Sequence, residues 1–331
     1  MDGVFILLSS YNGARYIGEQ IESIRRQTFE GWTLLVRDDG SSDSTTEVVQ
    51  QLARADGRIR LLAHGRGNLG PVASFGALLE HALDERAAYV ALADQDDVWA
   101  ADKLERQLAL LRSHEASRGV DHPTLVHSDL TVVDSDLRPI HPSFLRYQRL
   151  EHAAAHPLRR LLLQNFVTGC TVLLNRALLR WAVPVPSVIM HDWWLAQCAA
   201  ALGSVLFLPE ATVLYRQHGA NVLGSRGVAQ LYLDAFRSPA EWWARGGRNL
   251  AAASTQVCEL AGRLEALSAE IAVDPAALAL VQRTCLALRG GLGPLRRCRE
   301  VSRLRIRPRS LTMPFFFYLR MLVGLPAAPE R

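Results

Sequence analysis

The chain has 331 residues, enough for one large or two modest domains, and its 49% apolar and 21% charged content is an ordinary globular balance. The net charge of +4 hides an asymmetry: from Arg289 onward ten arginines face only Glu300 and Glu330, a local +8 that leaves the rest at −4. Five cysteines without a CxxC pair point to buried free thiols rather than disulfides or zinc, and the absence of a charged leader or a spanning apolar run points to a cytoplasmic protein.

In chain order, Phe5-Ile6-Leu7-Leu8 reads as a buried strand closed by the turn Ser9-Ser10-Tyr11-Asn12-Gly13, and Ile17, Ile21 and Ile24 mark a helix face. Thr33 to Val36 is a second strand, ending in the polar turn Arg37-Asp38-Asp39-Gly40-Ser41-Ser42-Asp43, where Asp38 and Asp43 are expected to support or cap the turn. A helix with Val48, Val49 and Leu52, a strand from Ile59 to Ala63, a loop to Pro71 and a helix carrying Phe75, Leu78, Leu79 and Leu83 follow. Ala88 to Leu92 is a fourth strand, leading into Asp94-Gln95-Asp96-Asp97 and a helix from Ala100 to His114. The second half is less regular: strand-like Thr124–Val133, a turn feeding a strand over Asn165–Leu174, a helix opened by His191-Asp192-Trp193-Trp194, and strand-like Val205–Leu208, followed by Val213-Leu214-Tyr215-Arg216-Gln217-His218. After Gly224 the strand signals stop, and Val257, Leu260, Leu264, Leu267 and Ile271 form a helical stripe.

Strand, turn and helix repeated, with apolar strands that do not alternate, predict a mostly parallel sheet covered by helices on both faces. Ligands of such sheets bind beyond the carboxyl ends of the strands, where Tyr11, Asp38, Asp39, Asp94 and Asp96 all fall. Neither G-x-G-x-x-G nor a P-loop is present, so a nucleotide would be held by carboxylates and a bridging cation. Three crowded carboxylates at Asp94, Asp96 and Asp97 repel one another, which either a hard divalent cation or plain solvation of an acidic turn relieves.

The segments SSYNGARYIGEQIESIRRQTF, LLVRDDGSSDST and ALADQDDVWAADKL closely resemble the family 2 glycosyltransferases of GT-A fold. NFVTGCTVLLNRALL, MHDWWLA and YRQHGAN look like its rhamnosyltransferase-like branch. The resemblance covers about the first two-thirds of the chain and implies a GT-A domain over residues 1–224 with a helical C-terminal extension over 225–331. It implies inverting, metal-dependent transfer of a sugar, with rhamnose from dTDP-rhamnose as one expected donor, to a hydroxyl of a cell-surface or lipid-linked glycan. It further implies Asp96, Asp94 and His218 as metal ligands for Mg²⁺ or Mn²⁺, and Ser9, Tyr11, Asp39, Asp94 and Arg216 as donor-nucleotide contacts. Asp192 falls where the family carries its catalytic base; it also suits a helix N-cap, and the two roles are compatible. His191 is not assigned as base.

The C-terminal arginines admit a solvated face, a nucleic-acid patch or a contact with anionic membrane. No nucleic-acid module accompanies them, so no nucleic-acid partner is expected. The apolar Phe315–Val323 segment that follows instead resembles an interfacial anchor at the inner face of the membrane, against the simpler reading of a terminal helix packed on the domain. Two other functions stay open: a nucleotidyltransferase that makes a sugar nucleotide, and an inactive membrane-associated scaffold.

Overall fold

Apolar strands that do not alternate need cover on both faces, and the first half of the chain supplies it. The structure is a computed structural model, which describes residues 3–62, 67–218, 237–289, 292–306, 317–319 and 321–322. Its opening elements are β1 (Val4–Ser10), α1 (Ile17–Arg25), β2 (Trp32–Asp38), α2 (Thr45–Ala55), β3 (Ile59–Leu62), α3 (Gly70–Asp84) and β4 (Tyr89–Ala93). The four strands are parallel in the order β3-β2-β1-β4, with Leu8 level with Val36 on one side and Ala93 on the other. Residues alternate between two cores, as the two-residue period of a strand requires. Ile6, Leu8, Leu34 and Val36 pack under Ile17, Ile21 and Ile24 of α1, while Leu7, Leu35, Val90 and Leu92 pack against Phe75, Leu78 and Leu79 of α3.

β5 (Val98–Trp99), α4 (Lys103–Arg118), β6 (Thr124–Val133), β7 (Pro139–His141), α5 (Phe144–Tyr147) and α6 (Pro157–Leu161) come next. A 3₁₀ turn at Gly169–Thr171, β8 (Leu173–Asn175), α7 (Arg176–Ala182), α8 (His191–Leu202) and β9 (Ser204–Arg216) complete the α/β part. The sheet continues β4-β8-β6-β9-β5, with β7 on β6. β8 runs antiparallel to both neighbours and β5 antiparallel to β9, so the parallel half passes into a mixed one. The short strand expected at Val205–Leu208 is part of a longer one, β9, which runs on to Arg216 and whose register against β6 shifts near Asp129. The helix after the acidic turn starts at Lys103, three residues later than the leucine spacing suggests.

The C-terminal helices are α9 (Pro239–Leu267), α10 (Pro275–Arg289) and α11 (Pro294–Arg303). Val257, Leu260 and Leu264 join the same apolar core as Trp194 and Leu195 of α8. Polar ties reinforce the join: Gln256 donates to Gln197 over 3.0 Å, and Arg263 donates to the carbonyls of Trp181, Val183 and Pro184. The boundary expected at Gly224 lies outside the described residues.

Two expectations are corrected here. Cys258 and Cys285 form a disulfide between α9 and α10, whereas Cys170, Cys198 and Cys298 are free. The helical hairpin brings the two Cα atoms to 5.0 Å, a juxtaposition that a 27-residue spacing does not reveal. Phe317 and Met321 are buried in the core with Val301 and Leu304, so these residues of the expected interfacial anchor pack on the protein. Arg307, Arg309, Phe315, Phe316, Arg320 and Val323 lie outside the described residues. Among those described, no helix is long and apolar enough to cross a membrane.

Candidate active site

The parallel strands of the first half end together, and the turns that follow them carry most of the polar residues singled out above. Asp38 closes its own turn by accepting from the N–H groups of Gly40 and Ser41, and Asp43 accepts from Ala14 N and Thr45 N. Both therefore support the loops, as expected. The backbone of Tyr11 is clamped by a residue the sequence did not single out. Gln95 accepts from Tyr11 N at 2.9 Å and donates to Tyr11 O at 3.1 Å, leaving the phenol ring half exposed. The clamp depends on Gly13: a Cβ there would sit 2.2 Å from Gln95 Oε1.

Asp39 is almost fully buried over a polar chain running from strand to helix. Its Oδ1 accepts from Arg37 Nη1 and from Leu69 N, and its Oδ2 accepts from Gly70 N at 2.8 Å. Arg37, buried beneath, also donates to Ser74 Oγ, which meets Ser9 Oγ at 2.6 Å. Oδ2 accepts from Gly70 N where a carboxylate oxygen has room for two donors, so it is the atom placed to accept another N–H.

The acidic turn bridges the two halves of the sheet. Asp96 Oδ2 lies 2.7 Å from His218 Nε2, and Asp97 Oδ1 accepts from Arg216 N. Asp97 is fully buried, and its Oδ2 has no hydrogen-bond partner. Burial, followed by the charges of Asp96 and Asp192, pushes the Asp94 carboxyl up to about 7. Burial and the charges of Asp94 and Asp96 push Asp97 up as well. Beneath them Cys170 is buried within 4.8 Å of ligand atoms of Asp94 and Asp97, and burial drives its thiol up, so it stays protonated. Lys103, the chain's sole lysine, is buried over the Trp99 ring with its ammonium 3.5 Å from the centroid, and burial lowers it to about 7.

Arg216 sits differently from an exposed phosphate contact. The residue is 2% exposed, and its guanidinium donates to Asp96 O, Ser135 O and Glu19 Oε2 while lying over the Tyr16 ring. It thus ties α1, the acidic turn, the β6–β7 turn and β9 together. His218 packs against the same Tyr16 ring, tilted by 32° with centroids 4.8 Å apart.

Asp192 is the second residue of α8, whose N-cap is Met190, so the capping position expected for it belongs to its neighbour but one. Its Oδ1 accepts from Trp193 N at 2.5 Å and from Asn165 Nδ2 at 3.2 Å. Burial raises it to about 6, opposed by N–H donation from Trp193 and Gly169 and by the Asn165 amide. Gly169 sits against it: a Cβ at that position would lie 3.5 Å from Asp192 Oδ2. The two indoles face away, Trp193 donating to Leu161 O and Trp194 to Ala182 O. His191 stacks on Phe75 with both ring nitrogens unpartnered, and burial lowers it to about 3, so it is neutral and proton-poor.

Ser9, Tyr11, Asp39, Asp94, Asp96, Asp192, Arg216 and His218 are therefore gathered around one strand edge, where the Asp192 charge is felt at Asp94. Glu19, Arg37, Ser74, Gln95 and Asn165 complete it and were not singled out by the sequence. Asn165 lies inside a motif already noted, and Gln95 between two of its aspartates; which atoms they hold is a matter of tertiary contact. The donor set suits a hard divalent cation: carboxylates of Asp94 and Asp96 with an imidazole beside them, and a buried Asp97 oxygen with unmet bonding capacity.

The model described as Glycosyl transferase family 2 matches residues 5–177, more than half of the chain. An Escherichia coli enzyme, UDP-Glc:alpha-D-GlcNAc-diphosphoundecaprenol beta-1,3-glucosyltransferase WfgD, is 30% identical over 193 residues, covering 58% of this chain and 67% of that one. The dTDP-rhamnosyl transferase RfbG of Shigella flexneri is 23% identical over 228 residues, covering 66% and 74%. The crystal structure of S. aureus TarS 1-349 in complex with UDP-GlcNAc superposes with a TM-score of 0.58 at 15% identity, over 97% of this chain and 88% of that one, a likeness of fold. The matched regions span about two-thirds of the length of the curated relatives.

Proposed function

The chain belongs to glycosyl transferase family 2, and from that premise we propose that it moves a sugar from a nucleoside diphosphate donor to an acceptor hydroxyl with inversion, in a metal-dependent reaction. The observation that carries this is a division of labour. A buried carboxylate, Asp192, is held apart from the acidic turn yet close enough for its charge to act on Asp94.

On this reading Asp39 accepts a base N–H through Oδ2, and Tyr11 lays its exposed ring against the base on a backbone fixed by Gln95. Ser9 lines the same edge. Asp94 and Asp96, with His218, would hold Mg²⁺ or Mn²⁺, which when bound supplies charge stabilisation to the departing diphosphate. Arg216 serves this site as a positioning residue, fixing the turn through Asp96 O and Asp97.

Asp192 takes the proton from the acceptor hydroxyl as that oxygen attacks the anomeric carbon. A group near 6 is mostly ionised at neutral pH yet basic enough to hold the proton it receives. Asn165 and the Trp193 N–H hold Oδ1, and on this reading Oδ2 is the oxygen that receives the proton. His191, neutral and packed on Phe75, takes no part in this proton transfer.

The relatives support an envelope glycan as product, and RfbG supports rhamnose from dTDP-rhamnose as a donor to test first. A lipid-linked acceptor would bring the protein to the inner face of the membrane, where the exposed Leu295, Arg296, Arg299 and Arg303 of α11 suit an anionic surface. The test is thermal stabilisation by UDP, dTDP and GDP with and without Mn²⁺. One of them should raise Tm in a Mn²⁺-dependent way; no metal-dependent shift with any of the three would overturn the reading.

A further inference from the structure

Among the described residues, His191 is a buried polar group beside the reacting ones that the proposed reaction leaves idle. It opens α8 directly before Asp192 and is 3% exposed. Its ring lies flat on Phe75, with centroids 4.0 Å apart and planes within 18°, and neither ring nitrogen has a hydrogen-bond partner. A buried polar group without a partner is costly, and a phenylalanine would fill the same stack without that cost.

Gly169 shows what the imidazole borders. A Cβ built there would have as its nearest neighbours His191 Nε2 at 3.4 Å, Asp192 Oδ2 at 3.5 Å and Asp192 Cβ at 3.6 Å. These are ordinary contact distances, so the glycine of the 3₁₀ turn leaves a carbon-sized space with both polar atoms on its edge. One of them is the oxygen assigned to the acceptor's proton, and the other has no task.

The stack also joins this space to the donor edge. Phe75 follows Ser74, whose hydroxyl meets Ser9 Oγ at 2.6 Å and accepts from Arg37 beneath Asp39. In a transfer reaction the anomeric carbon lies between the oxygen that Asp192 deprotonates and the diphosphate at the acidic turn. The transferred sugar is thereby brought against the start of α8. A neutral imidazole offers one N–H donor and one acceptor, and a sugar hydroxyl can meet either. Burial lowers His191 to about 3, so the contact carries no charge.

We propose that His191 Nε2 hydrogen-bonds a hydroxyl of the transferred sugar and so determines which sugar is accepted. The proposal rests on the glycosyl-transfer reading. A site built to pair a hydroxyl rejects a sugar that lacks it or aims it elsewhere, because the buried nitrogen then stays unpaired.

The test is calorimetric titration, with Mn²⁺ and without acceptor, of three matched pairs: UDP and UDP-glucose, dTDP and dTDP-rhamnose, GDP and GDP-mannose. The quantity read is the ratio of the nucleotide-sugar Kd to the nucleoside-diphosphate Kd, for the pair the parent binds most tightly. His191→Phe keeps the stack on Phe75 and removes both nitrogens. It should raise that ratio about tenfold, leave the nucleoside-diphosphate Kd within about twofold, and leave the ligand-free Tm no lower than the parent's. Gly169→Ala puts a methyl into the shared space and should raise the ratio too, which keeps the test decisive if His191→Phe fails to fold. An unchanged ratio in folded His191→Phe, or in Gly169→Ala where the first variant does not fold, marks His191 as packing and overturns the proposal. A parent that binds none of the three nucleoside diphosphates in a Mn²⁺-dependent way would instead sink the transfer reading, and this proposal with it.

Discussion

Asn165 Nδ2 donates to Asp192 Oδ1 across 3.2 Å, joining the segment before the 3₁₀ turn to the first turn of α8. Asn165 is itself fixed, because its Oδ1 accepts from Val167 N at 3.0 Å. The amide favours the ionised carboxylate and so works against the burial that raises Asp192 to about 6. Transfer needs that carboxylate ionised, so kcat/KM should fall as pH drops through about 6. Asn165→Ala should move this acidic limb to higher pH. A limb that stays in place in a pH–rate profile would mean the amide only packs the loop.

The same carboxyls set the stability of the metal-free protein. Asp94 near 7 and Asp192 near 6 lie above the unfolded value of about 3.9, so the folded protein keeps protons that the unfolded chain releases. Their contribution is present below about pH 4 and is lost as pH rises through 6 to 7. Tm without metal should decline across that window, and Asp94→Asn should flatten the decline. Mn²⁺ should restore more stability at pH 7.5 than at pH 5.5, because protons compete with it at the lower pH; thermal melts at both values decide this.

Gly13 and Gln95 should behave as one unit. Gly13→Ala places a methyl 2.2 Å from Gln95 Oε1 and expels the amide from both of its bonds to Tyr11. Each bond is worth about 1 kcal/mol, so Gly13→Ala and Gln95→Ala should each cost about 1–2 kcal/mol and weaken nucleotide binding. The double variant should cost little more than either alone. Full additivity in denaturant melts would show that the two do not act through the same clamp.

Arg216 separates a positioning role from a phosphate contact. Arg216→Met removes the cation beside Glu19 and the donor to the carbonyls of Asp96 and Ser135, and hydrogen bonds to a charged group are worth about 1.5–3 kcal/mol each. Half-exposed Glu19 places the loss at the lower end of that range. A lower Tm with weakened Mn²⁺ binding is the expected result. An unchanged Tm with only a raised KM for donor would show a direct phosphate contact instead.

Much of the α/β half was legible because its signals are local. β1 to β4 are apolar runs closed by polar turns, and Leu78, Leu79 and Phe75 carry a helical period, so the parallel sheet and its ligand edge followed. Asp94, Asp96 and Asp192 stood out by motif, and the motif ordering carried the family. What the sequence hid is long-range. Nothing local says that Gln95 reaches back to Tyr11 across 84 positions, or that Arg216 closes on Glu19 across 197. The antiparallel β8 is three residues long, too short to carry a pattern. The Cys258–Cys285 bond depends on how two helices pair, which the helical stripes alone do not fix.

In the proposed reaction Asp192 takes the acceptor's proton while the acidic turn serves the leaving diphosphate. Single-turnover transfer by Asp192→Asn, with donor binding followed in parallel, tests it most directly. Asparagine keeps the size of the side chain and can still accept from Asn165 and Trp193 N. Transfer should fall by about 10²-fold or more while Mn²⁺-dependent nucleotide affinity stays within about twofold of the parent. Transfer at the parental rate, or a parallel loss of nucleotide binding, would contradict it.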